Sequence, residues 1–318
     1  MRRLTDAALL RALEPTVASQ LDRHLAAAKE WLPHEWVPWS RGRDFAGAGG
    51  TAWTPDQSRL GEAVQAAFAL NLLTEDNLPS YHHELLQRLG CDGPWGDWVR
   101  RWTAEEARHA TSLRDYVLLT RAIDPVALER DRMATLQAGW SADGKDLLRS
   151  LVYATFQELA TRIAHRNTGL AAGDPVAETL LARIAADENL HMVFYRDLVG
   201  AALALAPEQT LVAIAEAVAG FEMPGAGVPG FLQRSLLIAE AGIYDVRIHR
   251  DAVLVPLLKH WQVFTLPLAS AAAEQAQQAL SRHLDRLEGV ATRYAERLAL
   301  RHDAATRAQR PASGWEAQ

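Results

Sequence analysis

The sequence has 318 residues, of which 49% are hydrophobic and 23% charged, and its formal net charge is −6 at pH 7. This balance is typical of a globular protein with ample core material, and the acidic charge argues against general nucleic-acid binding. No apolar run reaches the ~18 residues that span a bilayer. The single cysteine, Cys91, excludes an intrachain disulfide. We therefore expect a cytoplasmic protein with no transmembrane segment and no nucleic-acid partner.

Helical periodicity dominates the chain and strand signals are scarce, which predicts an all-α fold. Capping side chains, prolines and glycines mark the helix ends. The predicted helices cover residues 5–29, 56–89, 95–120, 146–170 and 174–205, another opens at Asp124-Pro125, and a long amphipathic helix follows a Pro/Gly-rich loop at 223–230. We expect a single domain over residues 1–304 and a disordered tail over residues 305–318.

Two short motifs carry candidate metal ligands. Glu106-Ala107-Arg108-His109 and Glu188-Asn189-Leu190-His191 both have the form Glu-x-x-His. On a helix, residues three apart project from one face, so each motif directs a carboxylate and an imidazole to one point. Such pairs also arise by chance, and the two motifs alone are a weak signal.

Two single glutamates make the signal specific. Glu75 lies 31 residues before Glu106, and Glu158 lies 30 residues before Glu188. One glutamate from each of two helices and Glu-x-x-His from each of two others is the ligand set of carboxylate-bridged di-iron and di-manganese bundles. Four carboxylates would also neutralise two divalent ions. We therefore predict a ferritin-like four-helix bundle with additional flanking helices, in which Glu75, Glu106, His109, Glu158, Glu188 and His191 are the metal ligands.

Several neighbours of these ligands are candidates for supporting roles. Glu105 and Asp187 directly precede ligand glutamates, and we expect both to lie around the metal ligands rather than to bind metal. Asp187 could orient a ligand imidazole by accepting its free N–H. Thr161 lies one turn beyond Glu158, where its hydroxyl could relay a proton to dioxygen or bond back to its own helix. We expect His165 to be a structural or surface histidine. Trp102, one turn before Glu106, is a candidate electron relay.

Pro79 follows Glu75 by four residues and cannot donate the hydrogen bond that the Glu75 carbonyl would normally accept. The helix over residues 56–89 should therefore kink or bulge at the ligand. The alternative is that Pro79 begins a new helix after a turn.

Four segments together resemble the soluble acyl-[acyl-carrier-protein] desaturases, most closely their bacterial branch. These segments are residues 73–81 (LTEDNLPSY), 102–109 (WTAEEARH), 156–161 (FQELAT) and 186–191 (ADENLH). The chain departs from the family pattern at Ala107, where Asn is usual, and at Ala110, where Gly is usual. We expect the methyl group of Ala110 to reshape the substrate cavity.

The resemblance implies a homodimer with two iron ions per chain and an apolar channel for an acyl chain on acyl-carrier protein. It also implies a ferredoxin-type electron donor and O2-dependent desaturation in fatty acid or lipid biosynthesis. Candidate contacts for the acidic carrier protein are Arg41/Arg43, Arg100-Arg101 and Arg247/Arg250. Three other functions compete with desaturation: a di-iron acyl hydroxylase or N-oxygenase, a ferritin-like iron oxidase or store, and a metal-free helical binding module.

Overall fold

The computed structural model of the chain describes residues 3–142 and 144–308. The helices are α1 (Asp6–Ala27), α2 (Pro33–Trp36), α3 (Glu62–Asp76), α4 (Leu78–Leu89), α5 (Gly93–Leu119), α6 (Pro125–Ala138), α7 (Leu147–Ala171), α8 (Pro175–Leu205), α9 (Pro207–Ala219), α10 (Phe231–Glu240), α11 (Val246–Ile248), α12 (Val255–His260) and α13 (Ala271–Ala308). A π-helical turn, His249–Leu254, joins α11 to α12. Within the described ranges, β pairing is limited to an isolated bridge between Phe45 and Thr51. The predicted all-α class is confirmed.

Four helices form the bundle, and the others pack around it. Helix α3 contacts α5 and α7, and α8 also contacts α5 and α7, with the most extensive contact between α7 and α8. Helix α1 packs on α5 and α8, α10 packs on α3, and α9 lies between α7 and α13. None of the described helices is both long and apolar enough to cross a membrane.

Several helix starts follow from capping side chains in the sequence. The side chain of Thr5 accepts a hydrogen bond from the Ala8 N–H, and Asp124, Asp146 and Asp174 cap α6, α7 and α8 in the same way. Each satisfies a backbone donor that the first turn of a helix leaves free. The predicted boundaries of α5, α7 and α8 are correct within two residues.

The first ligand helix differs from the prediction of one helix over residues 56–89. It begins at Glu62, and the chain is interrupted at Asn77, with α4 starting at the next residue. The Asn77 N–H closes a tight turn onto the Thr74 carbonyl at 3.3 Å, and Pro79 occupies the first turn of α4, where a missing N–H carries no penalty. The chain therefore starts a new helix after a turn near Pro79, which is the alternative to a kinked helix.

The C-terminal helix is longer than the sequence pattern indicated. Helix α13 continues to Ala308, so the first residues of the predicted tail extend this helix. Residues 309–318 of the predicted tail lie outside the described residues.

The apolar core has two parts with a polar layer between them. One part contains Trp98 of α5 and Leu198 of α8, and the other contains Leu113 of α5 and Leu180 of α8. The Glu-x-x-His motif of each helix lies between these two parts. The fold therefore holds charged side chains at mid-height of an otherwise apolar bundle.

Removal of the Trp98 indole should destabilise the fold. This side chain is fully buried, stacks on Phe194 and donates a hydrogen bond to the Tyr195 hydroxyl at 3.1 Å. We expect Trp98→Ala to lower the free energy of unfolding by about 3–5 kcal/mol, as for other large core truncations. Trp39, whose side chain is 51% exposed, gives the control: Trp39→Ala should cost less than about 1 kcal/mol. Equal shifts of the two denaturation midpoints in urea would contradict this packing.

Candidate metal centre

The six predicted ligands converge in the polar layer between the two core halves. Each of the four bundle helices contributes, and all six side chains are buried. They are Glu75 of α3, Glu106 and His109 of α5, Glu158 of α7, and Glu188 and His191 of α8.

The donor atoms form two overlapping groups. Glu75, Glu106, His109 and Glu188 offer atoms within 4.8 Å of one another, as do Glu106, Glu158, Glu188 and His191. Glu106 and Glu188 belong to both groups, so they are placed to bridge two metal positions. The remaining glutamate and histidine of each group would be terminal ligands. This is the arrangement of a two-metal carboxylate site.

Both histidines present the same nitrogen to the glutamates. His109 Nδ1 lies 3.3 Å from Glu106 Oε2 and 3.4 Å from Glu188 Oε1. His191 Nδ1 lies 2.9 Å from Glu106 Oε1 and 3.5 Å from Glu158 Oε2. In both rings, Nε2 points away from the group toward an outer acid.

Unsatisfied atoms indicate that the site fits metal ions. Both Nδ1 atoms, both oxygens of Glu188 and one oxygen each of Glu106 and Glu158 are buried without a hydrogen-bond partner. A buried, unpaired polar atom carries a penalty of about 1–3 kcal/mol, and more when it is charged. Two divalent cations would satisfy these atoms and balance the four carboxylates.

The pKa directions show how strongly the ligand charges interact. Burial and the neighbouring Glu75 raise the pKa of Glu106 to about 7. Burial disfavours the charge of Glu75 too, but the neighbouring imidazoles of His109 and His165 outweigh it and hold its pKa well below the usual range. Both ligand histidines have pKa values raised far above normal, because carboxylates outweigh the effect of burial. Metal binding here would therefore displace protons.

The acids beside the motifs support the histidines crosswise. Glu105 precedes the ligand of α5 but lies 2.9 Å from Nε2 of His191 on α8. Asp187 precedes the ligand of α8 but lies 3.5 Å from Nε2 of His109 on α5. Each acid therefore orients the imidazole of the opposite motif, which is the role expected of Asp187 from the sequence. An outer carboxylate of this kind also raises ligand basicity.

Each outer acid is held by an arginine four residues before it. Arg101 contacts Glu105 at 2.5 Å, and Arg183 pairs with Asp187. The sequence carried this signal, because both motifs extend to Arg-x-x-x-(Asp/Glu)-Glu-x-x-His. The longer pattern is more specific than Glu-x-x-His.

Two further partners could not be found from the sequence. His24 of α1 lies 2.9 Å from Glu105, and the Trp31 indole donates to Asp187 at 2.7 Å. Both residues are far from the motifs in sequence, and no spacing rule connects them. Trp31 also stacks on the ring of His109, with 6.4 Å between centroids.

The terminal glutamates are each held by one outer hydrogen bond. Trp102 Nε1 donates to Glu158 at 3.0 Å, and His165 Nε2 lies 2.9 Å from Glu75. His165 is buried, so the surface alternative does not hold and the structural alternative remains. Trp102 lies beside the ligands, and its role as an electron relay stays a prediction.

Thr161 and the two alanines also have defined environments. The Thr161 hydroxyl donates to the backbone carbonyl of Gln157 at 3.0 Å, the back-bonded alternative from the sequence. Ala107 is exposed. Ala110 is buried but lines neither cavity that reaches the ligands, so the expected effect of its methyl group on cavity shape does not arise by direct contact.

Two apolar cavities reach the ligands from different sides. The first contains about 770 Å³ of space not filled by atoms, part of it open to solvent, and touches Glu75, Glu106 and Glu158. Its walls include Leu78, Leu85, Tyr81, Trp140 and Tyr153. The second contains about 680 Å³, is lined by Thr161, His165 and Phe231, and shares Thr74 and Glu75 with the first.

Comparison with known proteins identifies the family. Residues 5–310 match the family described as fatty acid desaturase. The chain belongs to this family. It is 50% identical over 270 residues to DesA1 of Mycobacterium tuberculosis, which is named as an acyl-[acyl-carrier-protein] desaturase, with 82% of this chain and 80% of the relative covered.

A second relative has a solved structure. DesA2 of Mycobacterium tuberculosis, also named as an acyl-[acyl-carrier-protein] desaturase, is 36% identical over 237 residues, which cover 74% of this chain and 86% of the relative. Its X-ray structure aligns with a TM-score of 0.70 at 30% identity and covers 85% of this chain and 99% of that one. The fold and family predicted from the four motifs are confirmed.

The outer acids can be tested through metal affinity. We expect Asp187→Asn to weaken binding of divalent metal about 10–100-fold, the usual effect of losing an outer carboxylate. The protein should remain folded, because packing holds the bundle. Asp97→Asn, at an exposed carboxylate of α5, should leave affinity unchanged. Competition titrations with a chelator measure both, and an unaltered affinity in Asp187→Asn would exclude the orienting role.

Proposed function

We propose that this protein is an acyl-[acyl-carrier-protein] desaturase that holds two iron ions through Glu75, Glu106, His109, Glu158, Glu188 and His191. The observation that carries the proposal is a pair of overlapping carboxylate–histidine groups beside apolar cavities, in a chain of the fatty acid desaturase family. The names of DesA1 and DesA2 support acyl-carrier protein as the carrier of the substrate.

The proposed reaction converts a –CH2–CH2– unit of the acyl chain into a cis double bond. O2 takes up the two hydrogens of the chain, two electrons from an external ferredoxin-type donor and two protons, and becomes two waters. Bound iron supplies the chemistry of O2 reduction, since no side-chain base can deprotonate an unactivated methylene. Cys91 is exposed and unpaired, so the chain holds no disulfide that could supply the electrons.

The cavities would position the chain. Because both cavities share Thr74 and Glu75, an acyl chain lying in both would pass the ligands at mid-chain. Tyr81, Trp140 and Tyr153 would confine it in the first cavity and exclude water. Confinement of two adjacent methylenes near the metals favours loss of a second hydrogen over insertion of oxygen.

We further propose that the protein is a homodimer, as the family resemblance implies. Helix α10 exposes Leu232 and Leu236, which are 72% and 50% exposed and lie one turn apart. Adjacent exposed leucines of this kind are typical of contact surfaces.

The competing functions are less well supported. An iron store needs a path for ions, whereas the cavities beside the ligands have mainly apolar walls. A metal-free binding module would not need six converging ligands with unsatisfied atoms. A hydroxylase would use the same residues, and only the products distinguish oxygen insertion from desaturation.

The ligand assignment predicts metal content. Purified protein should contain about two irons per chain, and His109→Ala and His191→Ala should each lose most of them with little loss of helix. His83→Ala supplies the matched control, because His83 is exposed on α4 and should leave the iron content unchanged. Elemental analysis and circular dichroism together test this. Full iron content in both ligand variants would contradict the assignment.

The reaction predicts the fate of oxygen. A single turnover of the chemically reduced, iron-loaded protein with an acyl-carrier-protein thioester and 18O2 should yield an unlabelled alkene. Mass spectrometry of the released acyl chains reads the outcome. An 18O-labelled alcohol as the main product would replace desaturation by hydroxylation and leave the metal centre intact.

A further inference from the structure

A cationic cleft lies away from both cavities, at the end of the bundle where α5 ends and α8 begins. It contains about 820 Å³ of space, and its walls include Arg41, Arg43, Arg59 and Arg121 with a single acid, Asp174. This local charge of +3 contrasts with the net −6 of the whole chain. Association between proteins depends on such local patches more than on the total charge.

Most of the cleft charge is not neutralised within the chain. Arg41 pairs with Asp174 at 2.6 Å. Among the described residues, no carboxylate lies within ion-pair distance of Arg43, Arg59 or Arg121. By contrast, the other arginine stretches considered from the sequence are occupied: Arg101 holds Glu105, and Arg247 and Arg250 pair with Glu288.

Arg121 forms the base of the cleft and fixes its shape. Its side chain is 1% exposed and donates to Gln57 and to the Thr51 carbonyl at 2.8 Å. Its backbone is left-handed, with φ 54°, a conformation that glycine adopts with less strain. The Arg121 guanidinium therefore holds the loop over residues 39–57 against the end of α5, through Thr51 and Gln57. The positive charge of Arg121 lies beside the cleft.

The same loop carries exposed tryptophan. Trp39 is 51% exposed and lies two residues before Arg41. Close packing at Gly42, where a β-carbon would lie 2.6 Å from the Leu119 side chain, fixes this loop to α5. Tryptophan and arginine are the residues most enriched at the centres of protein interfaces. Asp44 and Asp56 lie on the same segment but do not line the cleft.

An aromatic series connects this region with the metal ligands. Trp36 lies 6.0 Å from Trp31, and Trp31 lies 6.4 Å from His109, measured between ring centroids. Trp36 is only half-buried, on the short helix that precedes the loop. Trp36, five residues before Arg41 in the chain, is therefore within two ring contacts of the candidate ligand His109.

We propose that the cleft and Trp39 form the docking surface for an acidic protein that carries a one-electron centre. This inference rests on the proposed function, which needs two external electrons per turnover. Each docking event would oxidise one reduced donor and pass one electron to the site, and two events with two protons complete the reduction of O2. An acyl-carrier protein must instead sit where a cavity opens, and the cleft shares no lining residue with either cavity.

The test uses a reduced [2Fe–2S] ferredoxin of net negative charge and the iron-loaded protein. We expect Arg43→Gln/Arg59→Gln to raise the KM for ferredoxin by about tenfold at low salt, with a smaller effect at high salt. The KM for the acyl-carrier-protein substrate and the product yield with dithionite as reductant should stay unchanged. Arg130→Gln/Arg297→Gln, at exposed arginines of α6 and α13, changes the net charge equally and should behave as wild type.

Binding isotherms with oxidised ferredoxin measure its affinity for the docking surface independently of turnover. They should show weaker binding in Arg43→Gln/Arg59→Gln and in Trp39→Ala. A rise in the KM for acyl-carrier protein instead, or unchanged ferredoxin binding in both variants, would overturn the docking proposal. Failure of dithionite-driven wild-type protein to form an alkene would refute the proposed reaction, whereas the isotherms would still decide whether the donor docks here.

Discussion

Burial of four glutamates between two apolar halves of the core is the constraint on which the rest of this structure depends. Several kcal/mol are lost for each buried charge that lacks a partner. The chain reduces this penalty by placing two histidines among the carboxylates and by sharing Glu106 and Glu188 between two groups. Several atoms of these candidate ligands remain without a hydrogen-bond partner, and two divalent cations would satisfy them.

The outer layer explains how such a site keeps its geometry. Glu105 and Asp187 each link a histidine of the opposite motif to an arginine on their own helix. Helices α5 and α8 are thereby tied across the bundle by charged hydrogen bonds, which are stronger than neutral ones. The arrangement repeats with approximate two-fold symmetry, which matches the repeated spacing of the motifs. Arg108 lies between the two acids, at 3.6 Å and 3.5 Å, and adds a shared positive charge.

Different kinds of side chain surround the candidate metal centre on its different sides. Apolar walls adjoin the glutamates on the side of α4 and α7. These walls can bury an acyl chain away from water, which is favourable for an apolar chain. Aromatic rings adjoin His109 on the side of α2. The cationic cleft shares no lining residue with the two cavities. In the proposed arrangement, substrate and electron donor approach from separate directions, and neither needs to leave before the other binds.

The sequence by itself determined the candidate ligands, the helical class and the family. Helical spacing is a local property, so Glu-x-x-His at residues 106–109 and 188–191 fixes which side chains share a face whatever the helices pack against. Caps such as Asp146 and Asp174 are also local, and they place the helix starts correctly. The arginine before each Glu-x-x-His motif is also visible in the sequence. Its role follows only from its pairing with the acid four residues later.

Only the tertiary structure decided the crosswise pairing of the outer acids and the roles of His24, Trp31 and His165. These contacts join helices distant in the chain, and their partners are set by how the helices pack rather than by residue spacing. The same holds for the cationic cleft, where Arg43, Arg59 and Arg121 meet although 78 positions separate the first from the last. Local rules decide which side chains share a helix face, whereas close packing of the whole chain decides which faces meet.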